Sequence, residues 1–288
     1  KKKLKMEKSK KLKNIVKEKY SAIAQSENTS CCGSDSQNPE VYNIMTDDYT
    51  AVKGYNADAD LSLGCGLPTQ FAKIQNGDTV IDLGSGAGND CFIARHEVGE
   101  SGKVIGIDFT EAMIKKARSN AEKLGLNNVE FRQGDIEDMP VNDAIADVIV
   151  SNCVLNLVPD KPKVIAEIFR TLKPGVHFSI SDIVLVGELP EKLKADAEMY
   201  AGCVAGAIQK EDYLQYIKDA GFNNITIQKE KPIIMPDSLL DQYLNPSEKE
   251  KFKTGTTGIF SITVFAQKPG VKPLKEKSEP LQFKSSCC

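Results

Sequence analysis

Asp82-Leu83-Gly84-Ser85-Gly86-Ala87-Gly88 is the stretch best suited to bind a ligand, because a carboxylate closing an apolar run is followed at once by Gly-x-Gly-x-Gly. Glycines at this spacing let the backbone turn sharply and come into contact with a ligand. The third glycine comes one residue too early for the dinucleotide fingerprint, and Asn89 stands where that fingerprint needs glycine. Asp82 before the first glycine suits a cationic ligand better than a pyrophosphate. Asp108 follows Gly88 by twenty residues, the place where a carboxylate accepts ribose hydroxyls, with a helix N-cap role as the simpler reading. Thiols form the second group. Of eight cysteines, Cys65, Cys153 and Cys203 lie between glycines or at a strand end, and Cys31-Cys32 is a vicinal pair in a Ser/Asn/Gly-rich loop. No two of the three have zinc-knuckle spacing, so either the fold assembles them or each is separately buried. Cys91, inside the helix after the glycines, reads as a small core hydrophobe.

The elements that must position these residues alternate regularly. Strands are expected over 78–83, 103–108, 128–133, 145–151 and 176–185, with helices over 88–97, 110–124 and 160–172 between them. Gly125 and Pro174-Gly175 serve as breakers. This pattern predicts an α/β fold with a mostly parallel, doubly wound sheet, whose ligands sit at the carboxyl ends of the strands. Asp82, Asp108, Asp135, Asn152-Cys153 and Asp182 all fall there. An amphipathic helix over 10–25 (Leu12, Ile15, Val16, Tyr20, Ile23) with a frayed basic end precedes the sheet, and a short helix over 68–75 leads into it. Helices over 189–208 and 210–220 follow, then an antiparallel pair over 223–229 and 259–267, and a Lys/Glu/Ser/Pro-rich tail that ends in Cys287-Cys288.

Composition narrows the class of protein. Hydrophobic residues make up 41% and charged residues 27% of 288, ordinary values for a globular chain. No apolar run approaches the roughly 18 residues of a membrane span. The basic start lacks the apolar core of a secretory leader, so a cytoplasmic protein is expected. Residues 1–19 hold ten lysines and two glutamates while the whole chain is −3, which leaves the body acidic. Without interleaved arginine or aromatic residues, the lysine face reads as a solvated helix, and no nucleic-acid or membrane partner is expected.

The glycine loop resembles motif I of the class I S-adenosylmethionine-dependent methyltransferases, a Rossmann-like fold. Ser151-Asn152-Cys153-Val154-Leu155-Asn156-Leu157-Val158-Pro159-Asp160, the Leu63-Gly64-Cys65-Gly66 turn, Gly202-Cys203 and Cys31-Cys32 together resemble the arsenite S-adenosylmethionine methyltransferases over about 10–230. The resemblance implies an N-terminal helix with cysteine-bearing loops over 1–66, an S-adenosylmethionine-binding domain over 67–230 and an extension completing the sheet over 231–288. It implies cofactor contacts from Asp82, Gly84, Ser85, Gly86, Gly88, Asp108, Met113, Asn152 and an adenine-binding turn at Asp135-Ile136-Glu137. It also implies that Cys65, Cys153 and Cys203 hold As(III), that arsenite and methylarsenite are substrates, and that Cys31 or Cys32 joins a disulfide step served by a thiol reductant of thioredoxin or glutathione type. Trivalent arsenic is soft and prefers sulfur, and its lone pair needs no base to free it, in keeping with a chain that has only two histidines. A small-molecule C-methyltransferase acting on a quinone would share the cofactor fold without needing three thiols. A non-enzymic metalloid-binding protein would need no adenosyl site.

Overall fold

The computed structural model describes residues 2–25, 47–187, 206–233, 237–254 and 258–270. Cys31, Cys32, Cys203, Cys287, Cys288 and most of the helix expected over 189–208 lie outside these residues.

Eight strands form one mixed sheet. β1 (Thr79–Leu83), β2 (Lys103–Asp108), β3 (Val129–Gln133), β4 (Ala146–Asn152) and β5 (Leu172–Val186) pair in parallel in the order β3-β2-β1-β4-β5. Beyond β5, β8 (Gly258–Gln267) runs antiparallel and carries β7 (Asn223–Pro232) at the edge, while short β6 (Ile208–Gln209) joins β5 in parallel. Strand order reverses between β1 and β4, so a crevice opens at their carboxyl ends. Asp82, Asp108 and Asn152 are carried at or next to the last residues of β1, β2 and β4.

Side-chain alternation explains why the sheet is covered on both faces. Ile81, Leu83, Ile105, Ile107, Ile149 and Phe178 point into one apolar layer with Val164, Ile165 and Ile168 of the helix Lys161–Thr171. Val80, Val104, Val148 and Val150 point into the other with Cys91, Ala94 and Val98 of the helix Asn89–Val98 and Ala117 of the helix Glu111–Lys123. Strands buried on both faces need this near-continuous apolar sequence. A third cluster gathers Val16, Cys65, Cys153, Leu157, Ile183, Leu185 and Ile259, and through it the N-terminal helix Lys2–Gln25 docks beside the strand ends.

Four differences from the sequence expectations stand out, the first three with local causes. The N-terminal helix begins at Lys2, because Lys, Leu, Met and Glu are strong helix formers and continue the helix through the expected frayed end. The helix expected over 68–75 is only Pro68–Phe71, broken by Lys73 at φ 52°. β5 runs through Pro174-Gly175, which mark a bulge: register against β4 shifts between Ala146 and Val148, and Gly175 N–H donates to Lys268 O at 3.0 Å. Ile208, expected as the end of a helix, lies in β6.

Candidate active site

The loop after β1 forms the floor of an open cleft. Gly86 lies at φ 51° with nothing within 4 Å of where its Cβ would stand, whereas a Cβ on Gly88 would strike Phe92 and Phe131 at 2.8 and 2.9 Å. Gly86 thus leaves room for a ligand, and Gly88 serves the packing of helix on strand. Gly84, Ser85, Met113, Asp135, Ile136, Asn152 and Cys153 line the cleft with Asp82, Gly86 and Asp108; Gly88, Glu137 and Cys65 do not. The Ser85 hydroxyl is buried without a hydrogen-bond partner, a donor and acceptor held ready on the wall.

Carboxylates crowd this cleft. Asp82 is buried and accepts the Cys91 thiol at 3.2 Å, a partner that reading Cys91 as a core hydrophobe missed. Burial pushes its pKa well above the carboxylate range; the charges of Asp90 and Asp108 add to this, against the Cys91 bond. Asp90 is raised to about 6, first by burial and then by Asp60, while bonds from Asn152 and Tyr49 pull it back. Burial also raises Asp108, against backbone N–H donors. Its Oδ2 accepts Gly86 N–H at 3.0 Å and its Oδ1 accepts Thr110 N–H at 2.8 Å, so it ties the glycine loop to the next helix. With about four lone-pair sites on a carboxylate, capacity remains for two ribose hydroxyls. Like charges in a poorly solvated cleft favour a cation, which relieves their repulsion.

At the turn after β3, Asp135 Oδ1 accepts Glu137 N–H at 2.9 Å. Lys13 of the N-terminal helix reaches over to bond Asp135 at 2.6 Å and Glu137 at 2.5 Å. Burial lowers the Lys13 pKa and the two carboxylates outweigh it, leaving it above its ordinary value. Lys13, Val16 and Tyr20 all line the cleft, so this helix forms part of its wall.

Cys153 follows β4 in the left-handed region at φ 61°, its N–H donating to Ser181 O at 2.8 Å. A non-glycine residue held there is strained, and such strain concentrates at functional sites. Cys65 is fully buried in the same apolar cluster. The glycines around it make room for protein: a Cβ on Gly64 would lie 2.7 Å from Asn152 Nδ2, and one on Gly66 would lie 2.5 Å from Ser181 Oγ. Asn152 Oδ1 accepts Cys65 N–H at 2.9 Å, and Nδ2 donates to Gly66 O at 2.8 Å and to Asp90 Oδ2 at 3.3 Å. Tyr49 donates to Asp90 at 3.0 Å. Tyr49 and Asp90 had no motif to announce them; each is bound to partners dozens of residues away. Asp90, two residues after Gly88 in the first turn of its helix, was the one available signal. Neither His96 nor His177 lines the cleft, and His177 is bonded to Ala72 O at 2.6 Å.

A parallel sheet reversing between β1 and β4, extended by an antiparallel pair and holding an acidic, glycine-floored cleft at its strand ends, is the class I methyltransferase fold. The chain belongs to the Methyltransferase domain family, whose sequence profile matches residues 74–221. It is 42% identical over 226 residues to the arsenite methyltransferase of Halobacterium salinarum, an alignment covering 74% of this chain and 58% of that protein. Among solved structures it is similar to an arsenic(III) S-adenosylmethionine methyltransferase from Chlamydomonas reinhardtii, with TM-score 0.61, 32% identity, and coverage of 81% of this chain and 75% of that one. A demethylmenaquinone methyltransferase of Lactococcus lactis is 32% identical over 136 residues, covering 47% of this chain and 54% of that protein. The chain thus spans little more than half the length of the arsenite methyltransferase it matches at 42% identity.

Proposed function

We propose that this chain moves a methyl group from S-adenosylmethionine to trivalent arsenic held by cysteine sulfur, giving methylated arsenicals. The observation that carries the reading is that Cys153 lines the same cleft as Asp82, Gly86 and Asp108 while Cys65 is buried in the adjoining cluster. The similarity to arsenite methyltransferases at higher identity and coverage than to the quinone enzyme supports it over quinone methylation.

The cleft fits the cofactor by its chemistry: space at Gly86, an unpartnered Ser85 hydroxyl and buried carboxylates suited to a cation. When bound, the cofactor supplies a methyl group activated by its sulfonium. Asp82, Asp90 and Asp108 supply negative charge to the cation, and Asp108 keeps the glycine loop in place. Asp135 and Ile136 would take the base, Glu137, off the cleft, would support their turn through its bond to Lys13, and Met113 would close the wall. Cys65, Cys153 and Cys203, the last outside the described residues, replace the three hydroxyls of arsenite, each thiol proton leaving with a hydroxyl as water. So held, the arsenic would keep its lone pair in line with the methyl carbon, and an As–C bond could form as the methyl–sulfonium bond gave its electron pair back to sulfur. Alignment of these three atoms is worth roughly 7–11 kcal/mol and needs no general base. Two thiolates closing to a disulfide, one of them from Cys31 or Cys32, return two electrons to arsenic. A dithiol or glutathione-type reductant then reopens the disulfide. A reducing, cytoplasmic setting suits this cycle. On this reading 1–66 carry the N-terminal helix and the loop cysteines, 67–230 the cofactor domain and 231–288 the extension that completes the sheet.

The test is a pair of titrations. Cys153→Ser should lose arsenite binding, because a hard hydroxyl replaces a soft ligand, and should keep its affinity for S-adenosylmethionine. Normal arsenite affinity in the folded variant overturns the reading.

A further inference from the structure

We propose that Asn152 is a positioning residue that clamps the Cys65 turn beside Cys153, with Tyr49 and Asp90 as its anchor, rather than a cofactor contact. The proposal rests on the reading of Cys65 and Cys153 as arsenic ligands.

One side-chain amide grips the turn on both sides of the thiol-bearing residue. Its Oδ1 takes the N–H of Cys65 at 2.9 Å, and its Nδ2 gives a proton to the carbonyl of Gly66 at 2.8 Å. Turning the amide over would face its N–H groups toward the Cys65 N–H and its oxygen toward the Gly66 carbonyl, so the bonding pattern fixes its orientation. Gly64 completes the fit, since a Cβ there would stand 2.7 Å from Nδ2. Nδ2 also reaches Asp90 Oδ2 at 3.3 Å and the Tyr49 hydroxyl, whose single proton goes to Asp90 at 3.0 Å, with Gly66 O at 3.1 Å as the alternative acceptor. The two N–H groups of Asn152 are therefore committed to three protein acceptors. The next residue in the chain is Cys153, its backbone held at φ 61° by the bond to Ser181 O. A single side chain thus sets where Cys65 lies relative to its own sequence neighbour. Two sulfurs that must share one arsenic atom need that distance fixed.

The probe is phenylarsine oxide, which joins two thiols with loss of one water and so reports on a pair, whereas N-ethylmaleimide reports on single thiols. The parent is the full chain with Cys31, Cys32, Cys203, Cys287 and Cys288 changed to Ser, which leaves Cys65, Cys91 and Cys153. Asn152→Ala in this background should weaken phenylarsine oxide binding at least tenfold, roughly the loss of one or two buried hydrogen bonds, with alkylation unchanged and with S-adenosylmethionine affinity unchanged when read at pH 8.5, well above the Asp90 pKa of about 6, so that loss of the Asn152 bond to Asp90 does not register. Tyr49→Phe, which keeps the ring and removes only the hydroxyl, should show the same split at smaller size, and it decides the question if Asn152→Ala does not fold. Phenylarsine oxide affinity equal to the parent's in the folded variants overturns the proposal, as does a loss of S-adenosylmethionine affinity in place of phenylarsine oxide affinity. If Cys65→Ser binds phenylarsine oxide as tightly as the parent, the underlying arsenic-thiol reading fails instead.

Discussion

Binding a cation among the carboxylates at the ends of β1 and β2 should release protons, and Asp90 sets the pH at which this is seen. Its carboxyl is raised to about 6, so in the free protein at pH 6 it carries about half a proton. A positive charge brought within reach lowers such a pKa by about 1–3 units. With a shift of about two units, the bound protein keeps almost none of that half proton, and cofactor affinity rises about ninefold between pH 5 and pH 7. Burial, with the charges of Asp90 and Asp108, raises Asp82 as well, so a cation beside it acts on its carboxyl in the same direction. Isothermal titration calorimetry with S-adenosylmethionine at pH 6, in two buffers of different ionisation enthalpy, measures the protons directly. The heats should differ between buffers, and Asp90→Asn should remove Asp90's share. Identical heats, together with affinity flat from pH 5 to pH 7, would refute the idea that these carboxylates face the cation.

Other perturbations separate packing from binding. Gly66→Ala should destabilise the protein by about 1–3 kcal/mol in thermal or urea denaturation, because its Cβ would meet the buried Ser181 side chain at 2.5 Å. Gly86→Ala meets no atom and should cost only about 1 kcal/mol from its φ of 51°, yet it should weaken cofactor binding in a titration. Asp108→Ala should weaken S-adenosylmethionine roughly 10–150-fold with arsenite binding intact, read by calorimetry. Asp182 is fully buried with its carboxyl raised to about 7 by burial, against an ordinary 3.8. The folded state therefore holds a proton that the unfolded chain gives up. The stability from this group is complete below pH 4 and lost as pH rises through 7, a fall of roughly 4 kcal/mol in all, of which about 2.6 kcal/mol lies between pH 5 and pH 8 and should be flattened by Asp182→Asn in denaturation curves over that range.

The alternating core of the fold was legible because parallel strands buried on both faces must be apolar throughout, as Val80-Ile81 and Val148-Ile149-Val150 are. Pro174-Gly175 misled about where β5 begins, since a breaker pair also marks a bulge, and only the partner strands tell the two apart. At the site, Asp82, Gly86 and Asp108 announce themselves because backbone geometry confines such residues to a few consecutive positions. The clamp around Cys65 does not. Asn152 looked like a strand-end cofactor residue, and its engagement with Cys65 spans 87 residues of chain, a distance over which local spacing carries no information. The glycines flanking Cys65 are opaque for the same reason: sequence shows that room is needed and cannot show that Asn152 and Ser181 fill it. Lys13 likewise looked like one lysine of a solvated face until the helix docked it on Asp135 and Glu137.

The central claim is methyl transfer to arsenic, and the most direct measurement incubates the protein with arsenite, S-adenosylmethionine labelled in its methyl group, and a thiol reductant, then separates the arsenic species. The account predicts label in methylated arsenic, formed by the wild-type chain and lost in Cys153→Ser. Cofactor bound and arsenite bound with no labelled arsenic species would contradict it.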